Sequence, residues 1–351
     1  MNKKEVTPYS KLGKSNRQIL KDILPLEKPF TIFIEPSNSC NFRCLQCPHG
    51  LDDYEEKAGP IGNMSEEVFS KLLNDMIEWK KDFNEKYLLK VIRLYLEGEP
   101  LINPRYCEML RQLKENNIAE RIELVTNGSL LSKEICEKLV EYGLDYITIS
   151  IYSVIEEKNK HITRSDITPT QIRDNIKYLR KIRDEKNKAT PFIYVKIIDT
   201  YNEEENNTFK QYYEGISDEA CIEKPMNWNN PDEGDFIGKL YDEDSQKVRE
   251  DMNNRLKYRK ACPFPFHTLS IKTNGDVLVC CVDWIRGTNV GNIMESSLKD
   301  IWNGDKLFQL RKLHIEGQRS QNKSCNGCEL FFKLSEEDNI DEVKLEQIEG
   351  K

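Results

Sequence analysis

The chain has 351 residues and a very polar composition, with 32% charged and 38% hydrophobic residues. Its formal net charge of −8 provides no basic field for nucleic acid or an anionic membrane, so we expect neither as a partner. The first residues lack a signal-peptide core, and no apolar run approaches the roughly 18 residues of a membrane span. We therefore expect a cytoplasmic protein whose eleven cysteines are metal ligands or free thiols.

Strand-like and helix-like segments alternate through the first two thirds of the chain. Apolar segments predict strands at 31–35, 91–96, 121–125, 145–150, 192–198 and 220–223. Between the predicted strands, apolar residues recur at helical spacing, with Ser65 and Ser132 as predicted N-caps and Gly143 at a helix end. This alternation predicts a parallel α/β sheet, and so few units favour a partial (β/α)6 TIM-type barrel over a closed eight-stranded one. The chemistry of such a barrel lies at the carboxyl ends of its strands.

Changes in composition predict five segments. A polar extension at 1–30 precedes the barrel at 31–224, and an Asn-, Asp- and Glu-rich connection follows at 225–258. At 259–334, Cys, Gly, Trp and Phe recur in short segments with turns, which predicts a small α+β domain. The acidic residues 335–351 predict a solvated tail.

The loop after the first predicted strand carries three thiols within eight residues, Cys40, Cys44 and Cys47. Spacings of three and two residues let one loop surround a compact inorganic cluster, and thiolates favour an iron–sulfur cluster or zinc. Three protein ligands would leave one iron of a [4Fe–4S] cluster open to an external chelator. The alternative of three buried core cysteines fits poorly, because loops lie at the surface.

This CxxxCxxC loop resembles the signature of the radical S-adenosylmethionine (SAM) enzymes. The resemblance implies that the open iron binds the amino and carboxylate groups of SAM. One electron, from a reductant such as flavodoxin or ferredoxin, then cleaves SAM to a 5′-deoxyadenosyl radical. Motifs at the predicted strand ends are similar to the family's SAM contacts, and they supply Gly98, Glu99, Pro100, Asn127, Ser150 and Arg164.

These SAM-contact motifs also have simpler explanations. Gly-Glu-Pro and Asn-Gly occur in ordinary turns, and Arg164 could equally be a solvated surface residue. Three positions depart from the family pattern. Glu97 replaces the first glycine of a Gly-Gly-Glu-Pro motif, Gln46 stands where an apolar residue contacts adenine, and Tyr152 occupies the position of an acid.

A second set of cysteines lies in the last third of the chain, at Cys262, Cys280, Cys325 and Cys328. A hairpin signal around Gly275 separates the first two. This pattern resembles the SPASM/Twitch auxiliary domain in its one-cluster form, which implies a second [4Fe–4S] cluster held by four thiolates. Zinc is the alternative, although zinc sites usually have two tight Cys-x-x-Cys pairs.

Other cysteines and one acid are further candidates. Cys281 follows a ligand, and strand alternation predicts that its thiol points to the opposite face from Cys280. Cys281 and Cys221 are candidate hydrogen donors, and Asp283 is a candidate base by proximity alone. Two more cysteines, Cys107 and Cys136, are predicted core residues on helices.

The resemblance and the two cysteine sets predict a radical SAM oxidoreductase. We expect it to oxidise an alcohol carbon of a small polar substrate, such as a sugar, cyclitol or aminoglycoside-like molecule, with the auxiliary cluster as electron acceptor. Epimerisation of a similar substrate and modification of a peptide or protein are the enzymatic alternatives. A non-enzymatic iron–sulfur or zinc scaffold is the alternative from another class. The sequence leaves the substrate and the oligomeric state open.

Overall fold

One sheet of nine strands organises the residues that the structure describes. The computed structural model covers residues 18–226 and 235–349, apart from the side chains of 332 and 333. The strands lie side by side in the order β6-β5-β4-β3-β2-β1-β7-β8-β9, with these bounds: β1 Thr31–Ile34, β2 Leu89–Arg93, β3 Ala119–Thr126, β4 Tyr146–Ile151, β5 Phe192–Ile198, β6 Glu219–Glu223, β7 Thr268–Ile271, β8 Asp276–Leu278 and β9 Asn289–Asn292. All neighbouring pairs from β6 to β7 are parallel. This arrangement confirms the predicted α/β fold with a parallel sheet.

Helices connect the parallel strands and follow the last ones. Ser65 and Ser132 cap two of them as predicted, because their hydroxyls accept hydrogen bonds from the N–H groups of Val68 and Ile135. Gly143 has φ +75°, the left-handed conformation that ends a helix. The bounds are α1 Tyr54–Ala58, α2 Glu66–Lys80, α3 Tyr106–Glu115, α4 Lys133–Glu141, α5 Glu156–Thr163, α6 Pro169–Glu185, α7 Glu203–Tyr213, α8 Phe236–Tyr241, α9 Ser245–Asn254, α10 Phe264–His267, α11 Leu298–Trp302, α12 Asp305–Ile315 and α13 Leu345–Ile348.

The two faces of the parallel strands differ in chemistry. Alternate residues, such as Ile92, pack with the helices in one large apolar core. On the opposite face, Arg93 pairs with Glu123 at 3.2 Å, and Lys196 pairs with Glu223 at 2.9 Å. A buried parallel sheet is usually apolar on both sides. The polar inner face of this partial barrel is therefore suited to a hydrophilic ligand.

Strand β7 continues the barrel sheet into the last third of the chain. It pairs in parallel with β1, placing Thr268 opposite Thr31 and Ile271 opposite Ile34. Strands β8 and β9 then add two antiparallel strands. The predicted α+β character of this region is confirmed, but its strands extend the barrel sheet. As a result, the end of β7 lies beside the end of β1, where the first cysteine loop begins.

The expectation of a solvated tail is wrong, and part of the other flanking segment is folded. Part of the predicted connection forms α8 and α9, which bury Ile237, Val248 and Met252 together. The acidic tail is packed rather than solvated through residue 349, since Ile340 is fully buried in an apolar cluster that includes Leu20. Apolar residues at intervals within a charged segment were sufficient to anchor it, because one apolar stripe can be buried while the charges face water.

Candidate functional site

The first cysteine loop is a tight turn fixed to the end of α5. Within the loop, the N–H of Cys47 donates to the carbonyl of Cys44 at 3.1 Å. The N–H groups of Arg43 and Leu45 donate to carbonyls at the end of α5, at 3.0 and 2.9 Å. A Cβ on Gly50 would lie 2.3 Å from the Cys44 carbonyl oxygen, so the chain closes on itself only with glycine there. Local backbone contacts therefore hold the three thiols in place.

The three thiols of this loop are free and within electrostatic reach of one another. Burial raises the pKa of Cys40 to about 11 and that of Cys47 to about 12, and the charge of Cys40 adds to the latter. Burial and then the charges of Cys47 and Cys40 raise the pKa of Cys44. Three converging thiolates of this kind need a positively charged partner. The donor set fits a cluster containing iron, with three cysteine ligands.

Glu99 is the best-defined acid at the strand ends. It is buried, and its carboxylate accepts hydrogen bonds from the Asn127 N–H and the Thr126 hydroxyl, both at 2.8 Å, and from the Leu101 N–H at 3.2 Å. Burial raises its pKa to about 7, against the effect of these donors. Pro100 begins the short 3₁₀ helix that Glu99 caps. Glu99 is therefore a rigid carboxylate beside the cysteine loop, suited to an ammonium group.

Gly98 lies where two backbone segments meet. A Cβ there would lie 2.4 Å from the Ser37 carbonyl oxygen and 2.5 Å from that of Ser39. The N–H of Glu99 donates to the same Ser39 carbonyl at 2.8 Å. Asn127 is held similarly, because its side-chain amide donates to Asn41 Oδ1 at 2.9 Å. The structure thus brings the predicted Gly98, Glu99 and Asn127 together against the first cysteine loop.

The other predicted SAM contacts, Ser150 and Arg164, are not held in the group formed by Gly98, Glu99 and Asn127. Ser150 is half-buried near the end of β4. Arg164 is exposed, ends α5, and donates to the Gly50 carbonyl at 3.2 Å, so it braces the cysteine loop from outside. Tyr152 packs edge-on against Phe42 and hydrogen-bonds to the Cys44 thiol. In this chain the aromatic residue at the position of the family's acid therefore supports the cysteine loop.

A cavity of about 140 Å³ lies beside the first cysteine loop. Its lining includes Gln46, Tyr152, Asp199, Thr200 and Tyr241. The side-chain oxygen Oε1 of Gln46 is buried and has no hydrogen-bond partner. A buried acceptor without a partner is costly, so a ligand with a donor group would stabilise it. The exocyclic amine of adenine is such a donor, and this lining fits the nucleoside part of SAM.

The structure also brings together the second set of cysteines. Burial, together with the charges of Cys325 and Cys328, raises the pKa of Cys262. A hydrogen bond between Cys280 and Cys281 and then burial raise the pKa of Cys280, and charges on Cys328 and Cys262 add to this. The four thiols fit a cluster with all positions ligated by cysteine.

The expectation that Cys281 points away from Cys280 is wrong. Strand β8 ends at Leu278, so both cysteines lie in the turn that follows, where strand alternation does not apply. The hydrogen bond between the two thiols lowers the pKa of Cys281. Cys221 lies in β6 opposite Lys196, and burial raises its pKa. Since Cys221 is affected by the charges of Glu223 and Lys196, it lies on the polar inner face of the sheet.

Asp283 is engaged by its own loop. It is buried, and its carboxylate accepts hydrogen bonds from the N–H groups of Gly287 and Thr288 and from the hydroxyl of Ser324. Ser324 precedes Cys325, so these contacts join the turn after Cys280 to the last pair of cysteines. This hydrogen bonding gives Asp283 a structural explanation, and the role of base remains only a prediction.

Sequence reasoning missed a buried group of charges, Glu35, Lys272 and Glu97. The Lys272 ammonium lies 3.0 Å from Glu35 and 2.6 Å from Glu97, and these side chains are 1%, 0% and 10% exposed respectively. They follow the ends of β7, β1 and β2. The sequence shows a charged residue after each of these strands. Only the pairing of β7 with β1 in the structure shows that Lys272 lies beside Glu35.

The charge of Glu97 acts on one cysteine of the first set and on a cysteine adjacent to the second set. Burial raises the pKa of Glu97 to about 7, against the effect of Lys272. Burial raises the pKa of Cys47 to about 12, and the charge of Glu97 contributes to this. The same charge acts on Cys281, whose pKa is lowered mainly by its hydrogen bond to Cys280. Glu97 is therefore within electrostatic reach of Cys47 in the first set and of Cys281, which is adjacent to Cys280 of the second set.

Comparison with known proteins identifies the family. Residues 34–209, half of the chain, match the radical SAM superfamily, and residues 262–329 match an iron–sulfur cluster-binding domain, SPASM. The chain belongs to the radical SAM superfamily. The cofactors of this radical SAM protein are accordingly SAM, a [4Fe–4S] cluster and an auxiliary iron–sulfur cluster. None of the helices in the described part of the chain has the length and hydropathy of a membrane span.

Two relatives and one solved structure cover most of the chain. The tungsten-containing aldehyde ferredoxin oxidoreductase cofactor-modifying protein of Pyrococcus furiosus is 25% identical over 80% of this chain and 82% of its own length. The SAM-dependent 2-deoxy-scyllo-inosamine dehydrogenase of Niallia circulans is 20% identical, over 89% and 98% of the two chains. The structure of BtrN with AdoMet and 2-DOIA matches with a TM-score of 0.51 at 18% identity, covering 85% and 92%. This last likeness supports the fold.

Proposed function

We propose that the protein is a radical SAM oxidoreductase that converts an alcohol carbon of a small polar molecule to a carbonyl. A sugar, a cyclitol and an aminoglycoside-like molecule are the substrate classes. The observation that carries this proposal is the buried Glu35–Lys272–Glu97 group, in which Glu97 is within electrostatic reach of Cys47 and Cys281. A relative of similar length that is named as a dehydrogenase of an inosamine supports the substrate class.

The two cysteine sets have different roles in this proposal. Three cysteines, Cys40, Cys44 and Cys47, hold the cluster that binds SAM, while Glu99 and the cavity at Gln46 receive the amino group and adenine. Four cysteines, Cys262, Cys280, Cys325 and Cys328, hold the auxiliary cluster. Because four thiolates leave no open iron for the substrate, the auxiliary site serves as an electron acceptor.

To become a carbonyl compound, the alcohol must lose a hydrogen atom, a proton and an electron. SAM and its cluster, when bound, supply a 5′-deoxyadenosyl radical that takes the hydrogen atom from carbon. The hydroxyl proton passes to Glu97, and an auxiliary cluster held by Cys262, Cys280, Cys325 and Cys328 would accept the remaining electron. The loss of these three particles equals two electrons and two protons, which converts the alcohol to a carbonyl.

Glu97 suits the role of proton acceptor. Its Oε1 contacts Lys272 at 2.6 Å, and the Tyr54 hydroxyl donates to its Oε2 at 3.5 Å. With a pKa raised by burial to about 7, the carboxylate gains and loses a proton near neutral pH. Lys272 limits this rise, because its charge favours the ionised carboxylate. Glu35 then balances the Lys272 charge when Glu97 becomes neutral.

Epimerisation is a second candidate, and two thiols outside the proposed cluster ligands, Cys281 and Cys221, support it. The Cys281 thiol responds to the charge of Glu97, and Cys221 lies on the inner face of the sheet. Either thiol would return a hydrogen atom to the substrate radical. Incorporation of solvent deuterium at carbon, abolished by Cys281→Ala or Cys221→Ala, would favour epimerisation over oxidation.

The test is the coupling between SAM cleavage and product. Anaerobically reconstituted protein is mixed with SAM, dithionite and 2-deoxy-scyllo-inosamine, and then with a panel of cyclitols and sugars. We expect one equivalent of ketone for each deoxyadenosine with at least one alcohol substrate. Formation of deoxyadenosine without any two-electron-oxidised product across the panel would contradict the proposed alcohol oxidation. Reduced protein that cleaves no SAM would favour a non-enzymatic scaffold.

A further inference from the structure

A buried histidine lies among the cysteines of the second set. His314, in the last turn of α12, is 1% exposed. The backbone N–H of Cys262 donates to its Nδ1 at 3.2 Å, and its Nε2 lies 3.7 Å from Sγ of Cys325. The ring therefore bridges two cysteines that are 63 positions apart in the sequence (325 − 262).

These contacts determine which ring nitrogen carries the proton. An N–H group can donate to Nδ1 only if that nitrogen presents its lone pair, so the proton of the neutral ring lies on Nε2. The Nε2–H group then faces the sulfur of Cys325 as a donor. This tautomer leaves Nδ1 occupied and Nε2 protonated, and neither nitrogen is free to bind iron.

We propose that His314 tunes the auxiliary cluster by donating this hydrogen bond to Cys325. The inference rests on the proposed assignment of Cys262, Cys280, Cys325 and Cys328 as its ligands. A reduced cluster carries more negative charge on its sulfurs than an oxidised one, so a donor stabilises the reduced state more. His314 therefore raises the reduction potential and makes the cluster a better acceptor of the substrate electron. It acts through Cys325 and is a positioning residue.

The surroundings of Cys325 make this donor important. Burial raises the pKa of Cys325 to about 12, and the charges of Cys328 and Asp283 add to this. Arg319 opposes them, and its guanidinium also donates to the Cys325 backbone carbonyl. Within the described residues, His314 is a side chain that contacts the Cys325 sulfur itself.

Two amide variants of His314 separate its hydrogen bond to the Cys325 sulfur from its contact with the Cys262 N–H. In His314→Asn, the shorter amide can still accept from the Cys262 N–H but no longer reaches Cys325. In His314→Gln, the longer amide can present an N–H near the Nε2 position. Reduction of both clusters is followed by electron paramagnetic resonance during anaerobic redox titration, with iron counted in each protein. The cluster of the first cysteine loop serves as an internal control.

We expect His314→Asn to lower the equilibrium constant for reduction of the auxiliary cluster about tenfold, ~59 mV for one electron, because a hydrogen bond to a charged group contributes on this scale. The Gln variant should recover most of this loss, and the first cluster should not shift. An unchanged potential in the Asn variant, with about eight irons per chain, would overturn the role of His314 alone. Wild-type protein with only about four irons would overturn the ligand assignment on which this role depends.

Discussion

The two cysteine sets reach their geometry by different routes. The first comes from a single loop of eight residues, fixed by backbone hydrogen bonds and by the close approach of Gly50 to Cys44. The second comes from three separate segments, joined by contacts such as those of Asp283 and His314. A local site can be recognised from spacing, whereas an assembled site requires the fold. This difference predicts distinct losses when each set is disrupted.

Removal of each cluster should produce the largest effects. Replacing Cys40, Cys44 and Cys47 with alanine should abolish SAM cleavage and lower the iron content from about eight to about four per chain. Replacing Cys325 and Cys328 should lower iron by the same amount but leave uncoupled SAM cleavage, because the first cluster remains. Iron analysis and deoxyadenosine assays measure both outcomes. Loss of SAM cleavage in the second variant would contradict the separation of roles.

Glu97→Gln should give the next largest effect. The amide cannot accept the hydroxyl proton, so ketone formation should fall by about 10²–10⁴, the usual contribution of a general base. Deoxyadenosine formation without substrate should change little. The rate of ketone formation in the wild type should rise with pH through about 7, where Glu97 becomes ionised.

Glu35→Gln is the matched control, since it removes the other carboxylate that contacts Lys272 and keeps Glu97. Ketone formation in this variant should stay within about tenfold of wild type, below the usual loss of a general base. Equal losses in both variants would assign the effect to the charge of Lys272 and count against Glu97 as proton acceptor.

Glu99→Gln should weaken SAM binding by roughly 10- to 100-fold, the value of a hydrogen bond to a charged group. The sign of the pH effect follows from its raised pKa of about 7. Below this pH the neutral carboxyl cannot pair with the SAM ammonium, so wild-type affinity should fall as pH decreases. Equilibrium dialysis at several pH values should show this dependence in the wild type and a flat profile in the variant.

Ile340→Ala should have the smallest effect on chemistry. Its side chain is fully buried with Leu20 in the cluster that anchors the last residues. The truncation should cost about 2–5 kcal/mol of unfolding free energy, as for other buried aliphatic residues. Denaturant titration of the reconstituted protein would measure this. A change below about 0.5 kcal/mol, typical of surface substitutions, would restore the expectation of a solvated tail.

The sequence predicted what depends on local pattern. The strand–helix alternation, the N-caps at Ser65 and Ser132 and the proximity of the loop cysteines each follow from neighbouring residues. The prediction of Gly98 and Glu99 as SAM contacts also rests on one short motif. Each of these features is built from residues close in the chain, so spacing and residue type were sufficient.

The missed features depend on contacts between distant residues. Glu35 and Lys272 are 237 positions apart, and only the parallel pairing of β1 with β7 brings them together. His314 lies on a helix whose apolar neighbours gave no sign of a cysteine contact. The prediction for Cys281 was wrong because β8 ends before it. Strand ends are poorly specified by sequence, and here a difference of a few residues changed the geometry.

Isotope transfer from the substrate tests the central claim most directly. A candidate alcohol carrying deuterium at the reacting carbon is incubated with SAM and dithionite in ordinary water, and both products are examined by mass spectrometry. Oxidation predicts monodeuterated deoxyadenosine and an equal amount of ketone. Deuterated deoxyadenosine together with an alcohol that has regained a solvent hydrogen at that carbon would contradict oxidation and identify an epimerase.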